Sequence, residues 1–319
     1  MPTRRDTLQL GTAGLFATGL FATGLAVQPR PARAQASAPN VHRFKVGTAE
    51  VMVLSDGYMM QQVAMFGTDR TEAERVAAFK AAGTTEARVR ASVNVTLVRQ
   101  GSDLTLIDVG AGANFMDTTG KLGDALTAAG VDPAAVTRVI ITHGHPDHLW
   151  GAVDEFDDSV RFGKARHIVS EAEWALWMTG DPSAKLPADR QNFIPGAKRN
   201  LARIKDQTTF VKSGADLGGG LAAVDTAGHT QGHMSVMIGS GSETAMVLAD
   251  ALIHPAVSLA HPDWKVAADH DPDRAVATRK ALLDRLATDK TLVVGYHFPF
   301  PGVGRIERRG QAYIFQPSA

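Results

Sequence analysis

Cysteine is absent from all 319 residues. That absence excludes disulfides, a thiol nucleophile and thiolate metal ligands together, so any metal must be held by His, Asp or Glu. An excess of charge of either sign is lacking too. The 33 basic residues balance 33 acidic ones, which removes the basic surplus that grips nucleic acid. Beyond the first 36 residues no stretch shifts in composition as a linker does, and no separate basic, helical tail closes the chain. At 44% hydrophobic and 21% charged the remainder is an ordinary globular composition.

Residues 1–36 read as an address label. Thr3-Arg4-Arg5-Asp6-Thr7-Leu8 resembles a twin-arginine export signal, and a weakly apolar stretch, Leu8 to Val27, follows it. Small-residue cleavage patterns then appear at Ala32-Arg33-Ala34 and Ala34-Gln35-Ala36. An uncleaved anchor is the rival reading, since the span is nearly long enough to cross a bilayer. The signal implies the twin-arginine export machinery as a partner and the periplasm as destination. It leaves residues 37–319 as one domain.

Along that domain, Val41–Val46 and Glu50–Asp56 read as a hairpin, Asp56-Gly57 as a turn, and residues 58–70 as a Met-rich loop. Thr71 with Glu74 is a capping box for a helix to about Ala82. Strands are expected over 92–99, 103–108, 138–142 and 160–169. Ser170 with Glu173 opens a helix carrying Trp174 and Trp177, and residues 179–196 form a long connection before a helix at 197–205. Short strands follow near 209–211, 221–225, 234–238 and 245–249. Asp271-Pro272 starts a helix to about Thr288 with Val276, Leu283 and Leu286 inward, and strand 291–295 and a hairpin over 305–315 close the chain. Short strands interleaved with helices argue for sheets covered by helices.

The chemistry concentrates in Ile141-Thr142-His143-Gly144-His145-Pro146-Asp147-His148. Three imidazoles and a carboxylate stand within six residues, directly after an apolar strand. Neutral imidazole nitrogens and carboxylate oxygens bind zinc and other borderline metals. His229, Asp250 and His297 each stand where another apolar strand ends, the usual place for a site on one rim. Together the set supplies three His for one metal and Asp, His and His for a second, with Asp250 able to bridge. Singly, each residue has a duller reading: a satisfied core histidine or a helix cap.

The order HGHPDH, GHTQGH, Asp250, His297 resembles the metallo-β-lactamase-fold hydrolases over about residues 41–316. It is most similar to the methyl parathion hydrolase-like branch, through Leu54-Ser55-Asp56-Gly57, Leu106–Ala111 and the tail His297–Gly304. The resemblance implies an α+β (α/β) fold, a four-layer αββα sandwich with two divalent metals, most naturally zinc, at one edge. His143, His145 and His229 would hold the first metal. Asp147, His148 and His297 would hold the second, with Asp250 between. A hydroxide shared by the pair would attack, with Asp147 and Asp250 as the catalytic carboxylates that orient it. Asp108 and His233 are candidates to hold the outer nitrogens of the ligating rings.

For the substrate pocket the resemblance points to Phe115, with Trp174, Trp177 and Phe193 as companions. Ile253 stands where many acyl-homoserine lactonases of this fold carry Tyr. Among the other histidines, His254 is placed nearest the pocket and 42, 167, 261 and 270 are read as structural or exposed. The expected activity is hydrolysis of small esters, lactones or aryl organophosphates, and the family implies a homodimer. The alternatives are a β-lactamase, for which no pocket cation is apparent, a glyoxalase II-like thioesterase, and a metal-binding protein without turnover.

Overall fold

The computed structural model describes residues 39–255 and 257–318. All of them belong to one unit spanning 37–319, and the leader expected over 1–36 lies outside them. The first sheet contains β1 (Val41–Val46), β2 (Ala49–Gln62), β3 (Arg88–Gln100), β4 (Asp103–Ile107), β5 (Arg138–Ile141), β6 (Arg166–Ser170) and β7 (Thr208–Val211), in that spatial order. Its first four strands are antiparallel, and β4 to β7 are parallel. The second sheet contains β8 (Asp216–Gly218), β9 (Leu221–Asp225), β10 (Met234–Ser240), β11 (Glu243–Val247), β12 (Leu292–Val294), β13 (Val303–Arg309) and β14 (Ala312–Pro317). It too is ordered by sequence, with β11 and β12 its parallel pair.

Alternation along the strands builds the layers. In β5, Ile140 points into a core shared with Val236, Ile238 and Val247 of the second sheet, whereas Val139 and Ile141 face the other way. There they meet Leu122 and Leu126 of α2 (Leu122–Ala129) and Leu201 and Ile204 of α5 (Phe193–Ile204). On the far face, Leu282, Leu283 and Leu286 of α7 (Pro272–Asp289) cover Met246 and Val293. The result is a four-layer αββα sandwich of the metallo-β-lactamase type. A strand buried on both faces must be apolar where it is covered, which is why β5 is apolar from Val139 to Ile141.

The sequence signals hold where they are local. Thr71 caps α1 (Glu72–Ala81) in a complete box with Glu74, and Asp271 caps α7. Four expectations are corrected. Asp56-Gly57 is a bulge inside β2, where pairing with β3 shifts between Ser55 and Tyr58, so residues 58–62 are strand rather than loop. Asp56 is buried and its carboxylate accepts the backbone N–H groups of Ala111, Gly120 and Leu122. Gly57, at φ +107, lies too close to Thr118 O for any Cβ. Of 160–169 only the end is strand. Helix α5 begins at Phe193, with Pro195 in its first turn where its missing N–H costs nothing. In α7 Leu282 is buried whereas Val276 is only half-buried.

Candidate metal centre

Five strand ends supply the site. β4 is followed by Asp108, buried and at φ +61, a left-handed conformation uncommon for a non-glycine residue. Its Oδ1 accepts Thr142 N–H at 2.8 Å, and its Oδ2 accepts Thr142 Oγ1–H and His148 Nδ1–H, both at 2.8 Å. One carboxylate thus fixes both ends of the segment after β5. His145 precedes α3 (Pro146–Leu149), a single turn started by Pro146, which carries Asp147 and His148 round to a second point. The loop after β9 brings His229, a turn after β11 brings Asp250, and the chain leaving β12 brings Tyr296 and His297.

All seven expected side chains meet. His143, His145, His229 and Asp250 form one ligand-capable group, and Asp147, His148 and His297 a second. In the first, His145 Nδ1 lies 3.1 Å from His143 Nε2 and 2.9 Å from His229 Nε2. Asp250 faces both groups. Its Oδ2 is 3.1 Å from His229 Nε2 and 4.0 Å from His143 Nε2, and its Oδ1 is 3.0 Å from His148 Nε2 and 3.2 Å from His297 Nε2. Asp147 Oδ2 closes the second group at 3.3 Å from both His148 Nε2 and His297 Nε2.

His145 Nδ1 meets the two other rings of its group, but three atoms at the foci are left over. Asp147 Oδ2, His148 Nε2 and Asp250 Oδ1 are buried and have no hydrogen-bond partner. Buried polar atoms left so are costly, and a cation at each focus satisfies them. The imidazole and carboxylate donors suit two divalent ions, zinc foremost.

Each ligand-capable imidazole has its outer nitrogen held. His143 Nδ1–H faces Thr142 Oγ1 at 3.1 Å, and His297 Nδ1–H donates to Ser92 O at 2.8 Å. His229 Nδ1–H donates to Asp269 Oδ1 at 2.9 Å, and Arg279 holds the other oxygen of Asp269 at 3.2 Å. His145 Nε2–H meets His270 Nε2 at 3.1 Å. Burial, aided by His229, Arg190 and Lys185, pushes His270 down to about 3, which keeps it a neutral acceptor. Tyr296 stacks on His148 with centroids 3.9 Å apart and donates its hydroxyl to Asp147 O at 2.7 Å.

Burial also pushes the His143 and His145 rings well below their ordinary value, helped by the neighbouring histidines. Burial alone would raise Asp250, but His297, His148 and His229 outweigh it and hold the carboxyl well below the usual range.

Asp108 stands behind His148 as expected. His233 does not hold a ligating ring; its Nε2 accepts Asp250 N–H at 3.0 Å, and Thr226 Oγ1 lies 2.8 Å from its Nδ1. Sequence reasoning missed Asp269, His270, Arg279 and Glu173. Asp269-His270 looked like the lead-in to the Asp271-Pro272 cap, and only the fold shows it behind two rings.

The two groups floor a cavity of about 200 Å³ walled by Met59, Met60, Met65, Phe115, Phe193 and Ile253. Phe115, Trp150 and Phe193 pack edge to face. Three pocket expectations fail. Trp177 is fully buried, donating to Glu173 and packing on His145, and Trp174 packs outward against Phe210. Their helical spacing was core spacing. His254 is likewise remote, wedged between Phe66 and Phe79. Arg190, unforeseen, lines the cavity and donates to Ala267 O at 3.1 Å. A larger apolar hollow of about 500 Å³ between α1, α6 (Val257–Ala260) and β14 contains none of the seven ligand-capable residues.

Comparison with known proteins agrees with this geometry. The profile described as "Metallo-beta-lactamase superfamily" matches residues 88–297. The N-acyl homoserine lactonase AttM of Rhizobium johnstonii (strain DSM 114642 / LMG 32736 / 3841) is 31% identical over 179 residues, covering 54% of this chain and 62% of AttM. The chain thus spans less than two thirds of that relative's length. Among solved structures, AidC, a dizinc quorum-quenching lactonase in complex with a product, superposes with a TM-score of 0.83 at 27% identity, covering 88% of this chain and 98% of AidC. The hydrolase AbOPH superposes with a TM-score of 0.81 at 28% identity and the same coverage. With more than half its length matched by that profile and the seven residues gathered at one rim, the chain belongs to the metallo-beta-lactamase superfamily.

Proposed function

We propose that this protein is a dinuclear metal-dependent hydrolase that opens lactones and cleaves related small esters. The observation that carries this is the pair of ligand-capable groups sharing Asp250 at the floor of an apolar cavity. Two divalent ions held there supply Lewis acidity and lower the pKa of a water from about 15.7 to near 7. No protein nucleophile is then needed, which suits a chain without cysteine.

The residues divide the remaining work. Asp250 turns one oxygen to each group and so fixes their separation, and His233 holds its backbone. Asp147 and Asp250 are acceptors at the cavity floor able to orient a water proton. Phe115, Phe193 and Ile253 give an apolar acyl chain a dry wall and keep bulk water from the reacting carbonyl. AttM and AidC carry lactonase names, which supports lactones as the first substrate class.

Aryl organophosphates, the preference suggested by the methyl parathion hydrolase-like resemblance, are the second reading. It is favoured by the edge-to-face cluster of Phe115, Trp150 and Phe193. Export through the twin-arginine route and homodimer formation remain part of this proposal; periplasmic fractionation and sedimentation test them.

The deciding experiment assays the zinc-loaded protein against N-acyl homoserine lactones, aryl esters, an aryl phosphotriester and a chromogenic cephalosporin. Lactone turnover abolished by a chelator and restored by zinc is expected. Cephalosporin turnover alone would favour a β-lactamase, with Arg190 as the cation for the drug's carboxylate. Full metal loading without any turnover would leave a metal-binding protein.

A further inference from the structure

Glu173 is a buried carboxylate that the proposed reaction does not use. It lies in α4 (Glu171–Trp174), away from the cavity, and touches no ligand-capable ring. Its oxygens nonetheless take four donors. Oε1 accepts Gly144 N–H at 2.8 Å and Trp177 Nε1–H at 2.6 Å. Oε2 accepts Thr230 Oγ1–H at 2.6 Å and Gly232 N–H at 3.0 Å. Gly144 stands between His143 and His145; Thr230 follows His229. One carboxylate therefore fastens the two separate loops that bear all three imidazoles of the first group.

The surroundings are shaped for that contact. A Cβ on Gly144 would collide with Trp177 Nε1, and one on Gly232 would collide with the backbone of Glu173. Both glycines thus allow a close approach that a side chain would block. After Trp174 the helix widens into a π-turn over Ala175–Thr179, closed by Gly180 N–H to Ala175 O at 2.7 Å. Such turns recur at functional sites. Here the turn carries Trp177, whose indole reaches back to Glu173 and packs on the His145 ring at 6.1 Å between centroids.

The second group is anchored otherwise. Asp108 holds His148, Ser92 O holds His297, and Tyr296 holds the Asp147 carbonyl. None of these bonds involves Glu173, so Glu173 supports the first group alone, whereas Asp108 reaches both, through His148 and through Thr142 beside His143.

We propose that Glu173 is a positioning residue for the first metal, an acceptor-only clasp that holds the His143–His145 and His229–Gly232 loops so that three imidazole nitrogens meet at one point. The inference rests on the reading of those histidines as metal ligands. An ionised carboxylate has no proton to set against four donors, whereas a glutamine amide turns N–H groups toward one pair of them. Glu173→Gln therefore leaves one loop unclasped, while Glu173→Asp keeps the charge but falls one methylene short. Thr230→Val removes a single donor and leaves the backbone bonds.

The test is cobalt(II) binding by the full chain in competition with a chelator, resolving two stepwise dissociation constants and the visible spectrum. The step that survives His297→Ala identifies the first group. In Glu173→Gln that step weakens by at least about tenfold, as loss of an outer support does, and its visible bands shift. The other step changes by less than about twofold, since Glu173 bonds none of the residues that hold the second group. Glu173→Asp falls between, and Thr230→Val shows a smaller shift of the same kind. Should Glu173→Gln not fold, the Thr230→Val and Glu173→Asp data decide alone.

Equal weakening of both steps, or a lowered melting temperature of the metal-free protein with both constants unchanged, assigns Glu173 to fold stability and overturns the proposal. A wild-type chain that binds fewer than two ions overturns the proposed function instead. Two ions in wild type with no change in any clasp variant overturns this inference alone.

Discussion

Metal uptake at this site must expel protons, and the structure says which. In the metal-free protein burial pushes His229 down, but Asp250 and Asp269 outweigh it and raise the ring to about 9. Against the same cost of burial, Asp250 and Asp147 raise His148 and His297 above their ordinary value. The His229 ring therefore carries a proton at pH 7, and the other two hold theirs more tightly than a free imidazole does. His143 and His145 lie below their ordinary value and Asp147 and Asp250 below theirs, so those four are ready for a metal without losing a proton. One to three protons must therefore leave.

A group titrating near 9 competes at every pH below it, and each displaced proton changes apparent affinity about tenfold per pH unit. The sign is fixed: as pH rises protons grow scarcer and affinity rises. From pH 6 to pH 8 zinc affinity should increase at least about 100-fold from His229 alone. Competition against a chelator corrected for its own protonation measures this, and calorimetry in buffers of differing ionisation heat counts the protons. Affinity that is flat across pH 6–8, with no proton release, would refute this charge assignment.

Asp269→Asn should do two things at once. Removing the carboxylate behind His229 should weaken the first metal by about 10–100-fold. Leaving Arg279 buried beside a neutral amide should cost about 3–5 kcal/mol of folding stability in denaturant melts. Leu283→Ala in α7 should cost about 2–5 kcal/mol while leaving both metal constants unchanged. His167 is buried, and burial, outweighing a backbone contact with Ala165, pushes it down to about 4. Its folded value lies below its unfolded one, so stability is full above about pH 6.5 and falls by about 3 kcal/mol as pH drops toward 4. Unfolding of His167→Leu across that window should lack this component.

The sequence revealed the site more completely than its supports. His143 to His148 could be read because one strand and one turn place them, and strand ends flagged His229, Asp250 and His297. Asp108 could be read for the same reason. Glu173 could not: Ser170 and Glu173 have the spacing of a capping box, yet Ser170 caps nothing, and the carboxylate is spent on loops far along the chain. A local pattern cannot separate a cap from a tertiary clasp. Asp56-Gly57 failed similarly, since the same dipeptide makes a hairpin turn or a bulge according to what lies across from it. Trp174 and Trp177 share a helix, but a π-turn aims only Trp177 at the ligand loops, and no periodicity announces such a turn.

The most direct test is a crystal of the zinc-loaded protein measured at the zinc absorption edge. Two anomalous peaks about 3.5–4 Å apart are expected. One should lie among His143, His145 and His229, the other among Asp147, His148 and His297, each with one Asp250 oxygen toward it. A single peak, or peaks away from these seven side chains, would contradict the account.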